Sequence, residues 1–400
     1  MAGALDGVRI VDLTTVILGP WATQMLGDMG ADVIKVETHV GDTTRHTGDR
    51  RNPEMAAFFM ATNRNKRSVV LDLRQEEGRE ALFKLVGTAD VFVHNMRPSI
   101  ATKLGLDDEK FLKAYPKLVY VKTYGFRGDG PMANKPAYDD VIQAASGVTD
   151  LNTVISEGGE PRYVPTIMAD KTSSFHVVSA VLAALYHREK SGEGQVIEVP
   201  MFEALVDYLM VEHMNGAAFD PPIADMGYAR LLNKMRKPYK TQDGYLCVLP
   251  YTDQNWQDMF KIAGREDLME DPRFVDLATR TRHSGEIYGI LEDLVATRST
   301  AELEKTLNAA AIPVQKVNTK EDLLSDEQLA ATGFWQFADH PTEGRIRLTD
   351  PPVRFSKSPS SIRLLQPRLG EQSAEVLGEA GFSEEEIAGM FAAGVSKDGR

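Results

Sequence analysis

The chain has 400 residues, of which 42% are hydrophobic, and it carries a formal net charge of -13 at pH 7. That length exceeds one ordinary core, so we expect two domains, or one domain with a large insertion, of roughly 150 residues each. The acidic balance argues against nucleic acid or an anionic membrane as the main partner, although a local basic patch could still hold a polyanionic small molecule.

Three further features exclude classes of protein. The single cysteine, Cys247, rules out an internal disulfide framework. The eight histidines lie without ligand spacing, so we expect no metal site. No basic and apolar leader opens the chain, and the longest helical apolar run, Val177 to Tyr186, is too short for a bilayer. These observations predict a soluble, cytoplasmic protein.

Short β-rich runs alternate with amphipathic stretches through the first half of the chain. The runs are VRIVDL, DVIKVE, SVVLDL, DVFVHN, LVYVKTYGF and QVIEVP. This alternation is typical of a doubly wound parallel sheet. The first strand is followed by TTVILGPWATQ, with one glycine and then Pro20 opening a helix, and not by G-x-G-x-x-G. A nicotinamide cofactor is therefore disfavoured.

The pattern changes after Pro200. The next stretch, MFEALVDYLMVEHMNGAAF, predicts one long helix. A second unit begins near Tyr239, with a hairpin around Asp243-Gly244 and helices over residues 254–263, 283–297 and 301–311. From about Gly333 the sequence predicts strands around a turn and then two closing helices.

The common nucleophile signatures are missing, which leaves a carboxylate as the candidate reactive group. The sequence has no G-x-S-x-G elbow, Walker loop, H-E-x-x-H or paired cysteines. Asp170 stands where small and apolar residues begin to repeat at helical spacing, and its plain interpretation is a helix N-cap. A helix start also favours an ionised carboxylate, and only that form is a nucleophile, so the two roles are compatible.

Two basic clusters and one acidic cluster are further candidates. The basic clusters contain Arg64, Lys66, Arg67 and Arg74, and then Arg97 and Lys103. They are either a solvated rim or a set of cations that bracket the carboxyl ends of strands and hold phosphates. Tyr138, Asp139 and Asp140 follow a long, turn-rich loop of the kind that often covers a pocket.

These stretches together resemble the family III CoA-transferases (CaiB/BaiF-like), the group that contains formyl-CoA transferase and carnitine CoA-transferase. The resemblance spans nearly the whole chain. Its most specific parts are LDGVRIVDLTTVILGPWATQMLGDMGADVIKVE, NRNKRSVVLDLR, DVFVHNMRPSIATKLGL, PAYDDVIQAASG and ADKTSSFHVVSAVLAALYHREKSGEGQVIEVPMFEAL.

The resemblance implies an α/β fold: a large Rossmann-like domain built from both chain ends, a small α+β domain, and two chains interlocked as a ring-like homodimer. The corresponding domain bounds are 1–199 for the first part of the large domain, 200–238 for a linker helix and connector, 239–320 for the small domain, and 321–400 for a return linker and the rest of the large domain.

The resemblance also implies a site. Asp170 matches the covalent nucleophile of the family. The residues that match CoA contacts in relatives are Val16, Ile17, Leu18, Leu71, Asp72, Leu73, Arg74, Asn95, Met96, Arg97, Lys103, Tyr138 and Asp139. Lys103 replaces a common arginine, which keeps the charge but loses the planar fork. Coenzyme A enters as an acyl-CoA substrate, and neither a permanently bound cofactor nor a metal is implied.

The implied activity is transfer of CoA from an acyl-CoA to a carboxylic acid, through a mixed anhydride and an aspartyl-CoA thioester on Asp170. We expect the helix amides to offset the desolvation of that carboxylate. Ile17, Thr38 and the segment VLPYTDQNW replace features of the formyl enzyme, which disfavours formate and oxalate. A dicarboxylate such as succinate is then the first expected donor acid.

Two alternatives remain open from the sequence. One is a racemase acting on 2-methylacyl-CoA, although those relatives place a histidine where this chain has Tyr138. The other is a non-catalytic CoA-binding protein in which Asp170 is only a helix cap.

Overall fold

The computed structural model describes residues 2–399. Its contacts divide the chain into two compact units. Unit 1 comprises Met1–Val148, Tyr163–Tyr208 and Ala330–Arg400, and unit 2 comprises Thr149–Arg162 and Leu209–Leu329. The domain bounds expected from the family resemblance stay a prediction.

Unit 1 is organised around a six-stranded sheet whose neighbouring strands are all parallel. Its strands are β1 (Arg9–Leu13), β2 (Asp32–Glu37), β3 (Lys66–Val70), β4 (Val91–His94), β5 (Val119–Tyr124) and β6 (Gln195–Pro200). They are arranged in the order β3-β2-β1-β4-β5-β6. The prediction of an α/β fold with a parallel sheet is confirmed.

The central strands bury apolar side chains on both sides because helices cover both faces of a parallel sheet. Ile10, Val11, Val33 and Phe92 are all buried. The helices of the first half are α1 (Leu18–Asp28), α2 (Ala57–Thr62), α3 (Glu76–Val86), α4 (Pro98–Lys103), α5 (Asp108–Ala114), α6 (Asp139–Ser146), α7 (Val148–Leu151), α8 (Met168–Ser191) and α9 (Met201–His213).

Unit 2 has its own small sheet and its own core. Antiparallel strands β7 (Tyr239–Lys240), β8 (Tyr245–Val248) and β9 (Val314–Lys316) form the sheet, and the predicted hairpin joins the first two. The core includes Leu246, Trp256, Phe260 and Leu291. The accompanying helices are α10 (Asp253–Ala263), α11 (Leu277–Arg282), α12 (Ser284–Val295) and α13 (Thr300–Ala309), followed by α14 (Glu327–Ala331).

The end of the chain returns to unit 1. Strands β10 (Trp335–His340) and β11 (Gly344–Thr349) pair antiparallel, and helices α15 (Ser373–Glu379) and α16 (Glu384–Ala392) follow. Val376, Leu377, Ile387 and Met390 join the same apolar core as Phe92. The last helices therefore complete the core that the first strands begin. Within residues 2–399, none of the helices combines the length and apolar content that crossing a bilayer requires.

Candidate active site

The loops that follow strands β1 to β5 meet at the carboxyl edge of the parallel sheet. The strand order reverses between β1 and β4, and ligands of open α/β sheets bind at such a switch point. Two cavities lie here. One, the Asp170 cavity, has a volume of 270 Å³ and includes Thr15, Met96 and Asp170 in its wall. The other, the Asp72 cavity, has a volume of 320 Å³ and includes Thr15, Met96 and Asp72. Because they share Thr15 and Met96, we treat them as one crevice.

Most of the residues matched to the family site line this crevice. Those in the Asp170 cavity are Val16, Leu18, Asn95, Met96, Arg97, Tyr138 and Asp170. Those in the Asp72 cavity are Leu71, Asp72, Leu73, Arg74 and Met96. Three others lie outside both walls: Ile17 and Asp139 are buried, and Lys103 is exposed at the end of α4.

Asp170 is the third residue of α8 and not its cap. The helix begins at Met168, and the N-cap position belongs to Ile167, whose side chain makes no capping hydrogen bond. Instead, Oδ1 of Asp139 accepts hydrogen bonds from the backbone N–H of Ala169 at 2.7 Å and of Asp170 at 3.1 Å. The N-cap interpretation of Asp170 is therefore wrong, because a carboxylate from α6 satisfies these first amides of α8.

Burial dominates the electrostatics of the Asp170 carboxyl. Asp170 is 8% exposed, and burial together with the negative charge of Asp139 raises its pKa from 3.8 to about 7. A hydrogen bond from the backbone N–H of Leu18 lowers the pKa, but by less than burial and Asp139 raise it. The expectation that helix amides would offset desolvation is therefore wrong, since Asp139 already occupies the amides of Ala169 and Asp170.

The loop that supplies the Leu18 amide is held in a strained conformation. Val16 has φ 73°, a left-handed value that costs a β-branched residue about 1–3 kcal/mol. Its N–H donates to both carboxylate oxygens of Asp42 at 3.2 Å. Asn95 accepts from the N–H of Thr15 at 3.1 Å and donates to its carbonyl at 2.8 Å. Side chains from two other loops thus fix the position of this segment.

The sequence model of CoA-transferase family III matches residues 5–373. The chain belongs to CoA-transferase family III. It is 33% identical to a protein of Agrobacterium fabrum named succinate–glutarate CoA-transferase, over 94% of this chain and 95% of the relative. It is 30% identical to formyl-CoA:oxalate CoA-transferase of Streptomyces coelicolor, over 98% of this chain and 99% of the relative.

A solved structure agrees with this assignment. The crystal structure of a CAIB/BAIF family protein from Brucella suis matches with a TM-score of 0.80 at 32% identity, covering 95% of this chain and 100% of that one. The predicted family and the prediction of an enzyme are confirmed. A family III CoA-transferase uses CoA thioesters as substrates, so the crevice can be examined as a site for an acyl-CoA.

Beneath the crevice of this CoA-transferase lies a set of buried ion pairs, which we call the charged floor. Lys35 pairs with Asp42 at 2.9 Å, Lys66 with Asp12 at 3.0 Å, and Arg45 with Glu37 at 2.7 Å, and all six side chains are buried. Burial lowers the pKa of Lys66 to about 8, even though Asp12 opposes the change. Burial would raise the pKa of Asp12, but the charges of Lys66 and Lys35 lower it to about 2.

The phosphate-binding interpretation is wrong for three residues of the first basic cluster. Arg64 pairs with Asp28 at 2.7 Å, Lys66 belongs to the charged floor, and Arg67 pairs with Asp32 at 2.7 Å. In sequence these cations stand before or at the amino end of β3, whereas ligand residues of such sheets follow the carboxyl ends of strands. Only Arg74 follows the carboxyl end of β3; it is exposed and pairs with Asp72 at 2.8 Å.

Sequence reasoning missed the contribution of the loop after β2. Thr38, which the sequence singled out, lines the Asp72 cavity together with His39, Gly41 and Asp42, which it did not. Because DVIKVE was recognised as a strand, the rule that ligand residues follow the carboxyl ends of parallel strands would have selected them. The missed residue with the largest structural role is Asp42, which joins the Val16 loop to the charged floor.

Proposed function

We propose that this CoA-transferase uses Asp170 as its covalent nucleophile. The observation that carries the proposal is a buried carboxyl on the wall of the crevice whose pKa of about 7 leaves a large ionised fraction at neutral pH. A carboxylate so poorly solvated is a stronger nucleophile than one in water. The helix start at Met168 removes the capping role on which the non-catalytic alternative depended.

The reaction begins when a carboxylate oxygen of Asp170 attacks the carbonyl carbon of the donor thioester. The carbon–sulfur bond breaks, CoA leaves as thiolate, and a mixed anhydride remains on Asp170. The thiolate then attacks the aspartyl carbonyl, which releases the donor acid and forms an aspartyl-CoA thioester. The acceptor carboxylate attacks that thioester and expels the thiolate. Attack of the thiolate on the acceptor carbonyl forms the new acyl-CoA and restores Asp170.

The surroundings of Asp170 suit these steps. Both intermediates hydrolyse readily, so a carboxyl that is only 8% exposed protects them from water. The backbone hydrogen bond from Leu18 favours negative charge on this carboxyl and can stabilise the charge that develops there during the reaction. Arg74 and Arg97 line the crevice and supply cations for the phosphates of CoA.

We infer that the donor acid is a small dicarboxylate such as succinate. The Agrobacterium relative is named for succinate and glutarate. All the steps above leave the far end of the acid untouched, so the second carboxylate serves recognition alone. The Streptomyces relative is named for formyl-CoA and oxalate, which makes oxalate the acid to compare with succinate in the same assay.

We also propose that the working form is an interlocked homodimer. This proposal comes from the family resemblance and is supported by apolar side chains that the single chain leaves exposed. These are Tyr208, Val211, Phe219, Ile223 and Met226. Exposed apolar patches of this kind mark surfaces that another chain covers.

Trapping the intermediate tests the nucleophile. The protein is incubated with succinyl-CoA and then with hydroxylamine, which converts an acylated aspartate to a hydroxamate that mass spectrometry can assign. We expect the modification on Asp170 alone. The matched control is Asp140→Asn, which changes an exposed neighbouring carboxylate and should leave the label in place. Modification of another residue, or label that survives Asp170→Asn, would contradict the mechanism.

A further inference from the structure

Unit 2 contains a cavity of 240 Å³ that shares no lining residue with the crevice. Side chains from β8, α10, α11 and α12 form its walls, and the segment before β7 borders it. The residues that matter for its chemistry are Arg230, Arg236, Tyr239, Cys247, Trp256 and Tyr288. None of the groups in the proposed mechanism lies here.

The charge around this cavity is positive. Four of its lining residues are basic, Arg230, Arg236, Lys237 and Arg280, and none is acidic. Lys237 pairs with Glu292 at 2.9 Å and Arg280 pairs with Asp253 at 2.6 Å. In the part of the chain that the structure describes, Arg230 and Arg236 have no carboxylate partner.

The two unpaired arginines differ in how they are held. The Nε of Arg230 donates to the hydroxyl of Tyr288 at 3.1 Å, and its guanidinium lies over the ring of Tyr251, 5.6 Å from the centroid. The side chain of Tyr228 also hydrogen-bonds this guanidinium, whose planar fork matches the geometry of a carboxylate. Arg236 is exposed, so its guanidinium can reach an anion at the mouth of the cavity.

Apolar side chains of the unit 2 core make up much of the remaining wall, beside the hydroxyls of Thr281 and Ser284. Trp256, Ile287, Leu291 and Tyr239 are all buried, and they belong to the core of unit 2. An apolar wall with a few convergent polar groups is typical of a small-molecule site. The carbon skeleton of an acid would contact the apolar wall while its carboxylate binds the guanidinium groups.

We propose that this cavity binds a small organic carboxylate. Its volume corresponds to about eight water molecules at roughly 30 Å³ each. It is below the range of roughly 300–1,000 Å³ for drug-sized ligands, which favours a short acid. The family reaction consumes and releases carboxylic acids, so ligands of this class are present whenever the enzyme works. The assignment holds whether or not Asp170 is the nucleophile.

The chain supplies its own reporter for this cavity. Cys247 is the single cysteine, it is exposed, and it lines the wall. The experiment measures the rate at which neutral iodoacetamide alkylates Cys247 in the full chain, with increasing glutarate or with its uncharged diamide, glutaramide. We expect glutarate to slow alkylation until the effect saturates, and glutaramide to leave the rate unchanged.

Matched arginine variants separate site binding from a general salt effect. Arg236→Gln should raise the half-protecting glutarate concentration about tenfold, the effect of losing one charged hydrogen bond. Arg282→Gln, in the same unit but outside the wall, should leave that concentration unchanged. For each variant, the alkylation rate with ligand is compared with the rate of the same variant without ligand, because a nearby charge also alters the reactivity of the thiol.

Four results would overturn the assignment. Three of them are equal protection by glutarate and glutaramide, protection that Arg236→Gln does not weaken, and equal protection by inorganic phosphate at the same concentration. The fourth is absence of protection by glutarate, hexanoate and benzoate alike. Alkylation in urea confirms that the thiol itself is reactive in each variant.

Discussion

In the proposed mechanism, burial of the Asp170 carboxyl has two opposing effects: it protects the intermediates from water, and it raises the pKa of the nucleophile. With a pKa of about 7, we expect kcat/KM to rise about tenfold per pH unit below that value and to level off above it. Asp139→Asn keeps an oxygen that can accept from the amides of α8 but removes the negative charge. The midpoint of its pH profile should therefore move to lower pH.

Rates measured from pH 5 to 9 with one acyl-CoA donor check this expectation. Asp140→Asn serves as the control, since it removes an exposed charge next to Asp139. An unshifted midpoint in Asp139→Asn would mean that burial alone sets the ionisation of Asp170.

The same pKa has a consequence for stability. The ordinary pKa of the carboxyl is 3.8 and the folded value is about 7, so the folded chain binds the proton more tightly than the unfolded chain between these values. Stability therefore falls as pH rises through this window. Asp170→Asn should raise the free energy of unfolding by about 2–4 kcal/mol at pH 8, and by less at pH 5.

Urea unfolding of both proteins at the two pH values measures this difference. A stabilised but inactive variant is the expected result. Equal stability of Asp170→Asn and the parent at both pH values would show that the buried carboxylate carries no desolvation cost.

At the scale of elements, the loop between β1 and α1 depends on a side chain from the loop after β2. Asp42 accepts from the N–H of Val16 and pairs with buried Lys35. Asp42→Asn leaves that lysine without its carboxylate, so we expect a loss of about 3–5 kcal/mol in stability. The same change should also lower the transfer rate, because the strained loop carries the Leu18 amide.

Thermal unfolding and steady-state rates of Asp42→Asn test this expectation. The control is Asp49→Asn, which changes an exposed carboxylate nearby in the sequence. If Asp42→Asn and Asp49→Asn cost the same stability, the pair with Lys35 does not hold the loop.

The strands and their carboxyl-edge loops could be predicted because local patterns encode them. The apolar runs identified all six parallel strands, and residues directly after five of them line the crevice. The partners of the buried charged side chains could not be predicted in the same way. Lys66 and Asp12 are 54 positions apart, and Asp139 and the amide of Asp170 are 31 apart. No local rule states which distant charge completes a buried pair, so neither interpretation open from the sequence, a solvated rim or phosphate binding, describes Arg64, Lys66 and Arg67.

At the scale of the whole molecule, the proposed homodimer predicts the mass in solution and the rate at which chains exchange between dimers. Light scattering after gel filtration should give twice the chain mass of 44.2 kDa. If the chains are interlocked, tagged and untagged dimers mixed under native conditions should form no hybrid over a day. After unfolding in urea and joint refolding, hybrids should form.

The refolded mixture shows that the tag itself does not prevent pairing. Rapid formation of hybrids without denaturant would contradict the interlocked arrangement, and a mass of one chain would contradict the dimer.

The charged floor also restricts how this molecule can diverge. Removing one member of a buried pair leaves the other ionised and unsolvated, whereas replacing both by apolar residues of similar size is often tolerated. Substitution of Lys66 alone during evolution leaves the buried carboxylate of Asp12 without its cation. We therefore expect homologous chains to gain or lose these charges two at a time, while the exposed rim of the crevice accepts changes singly.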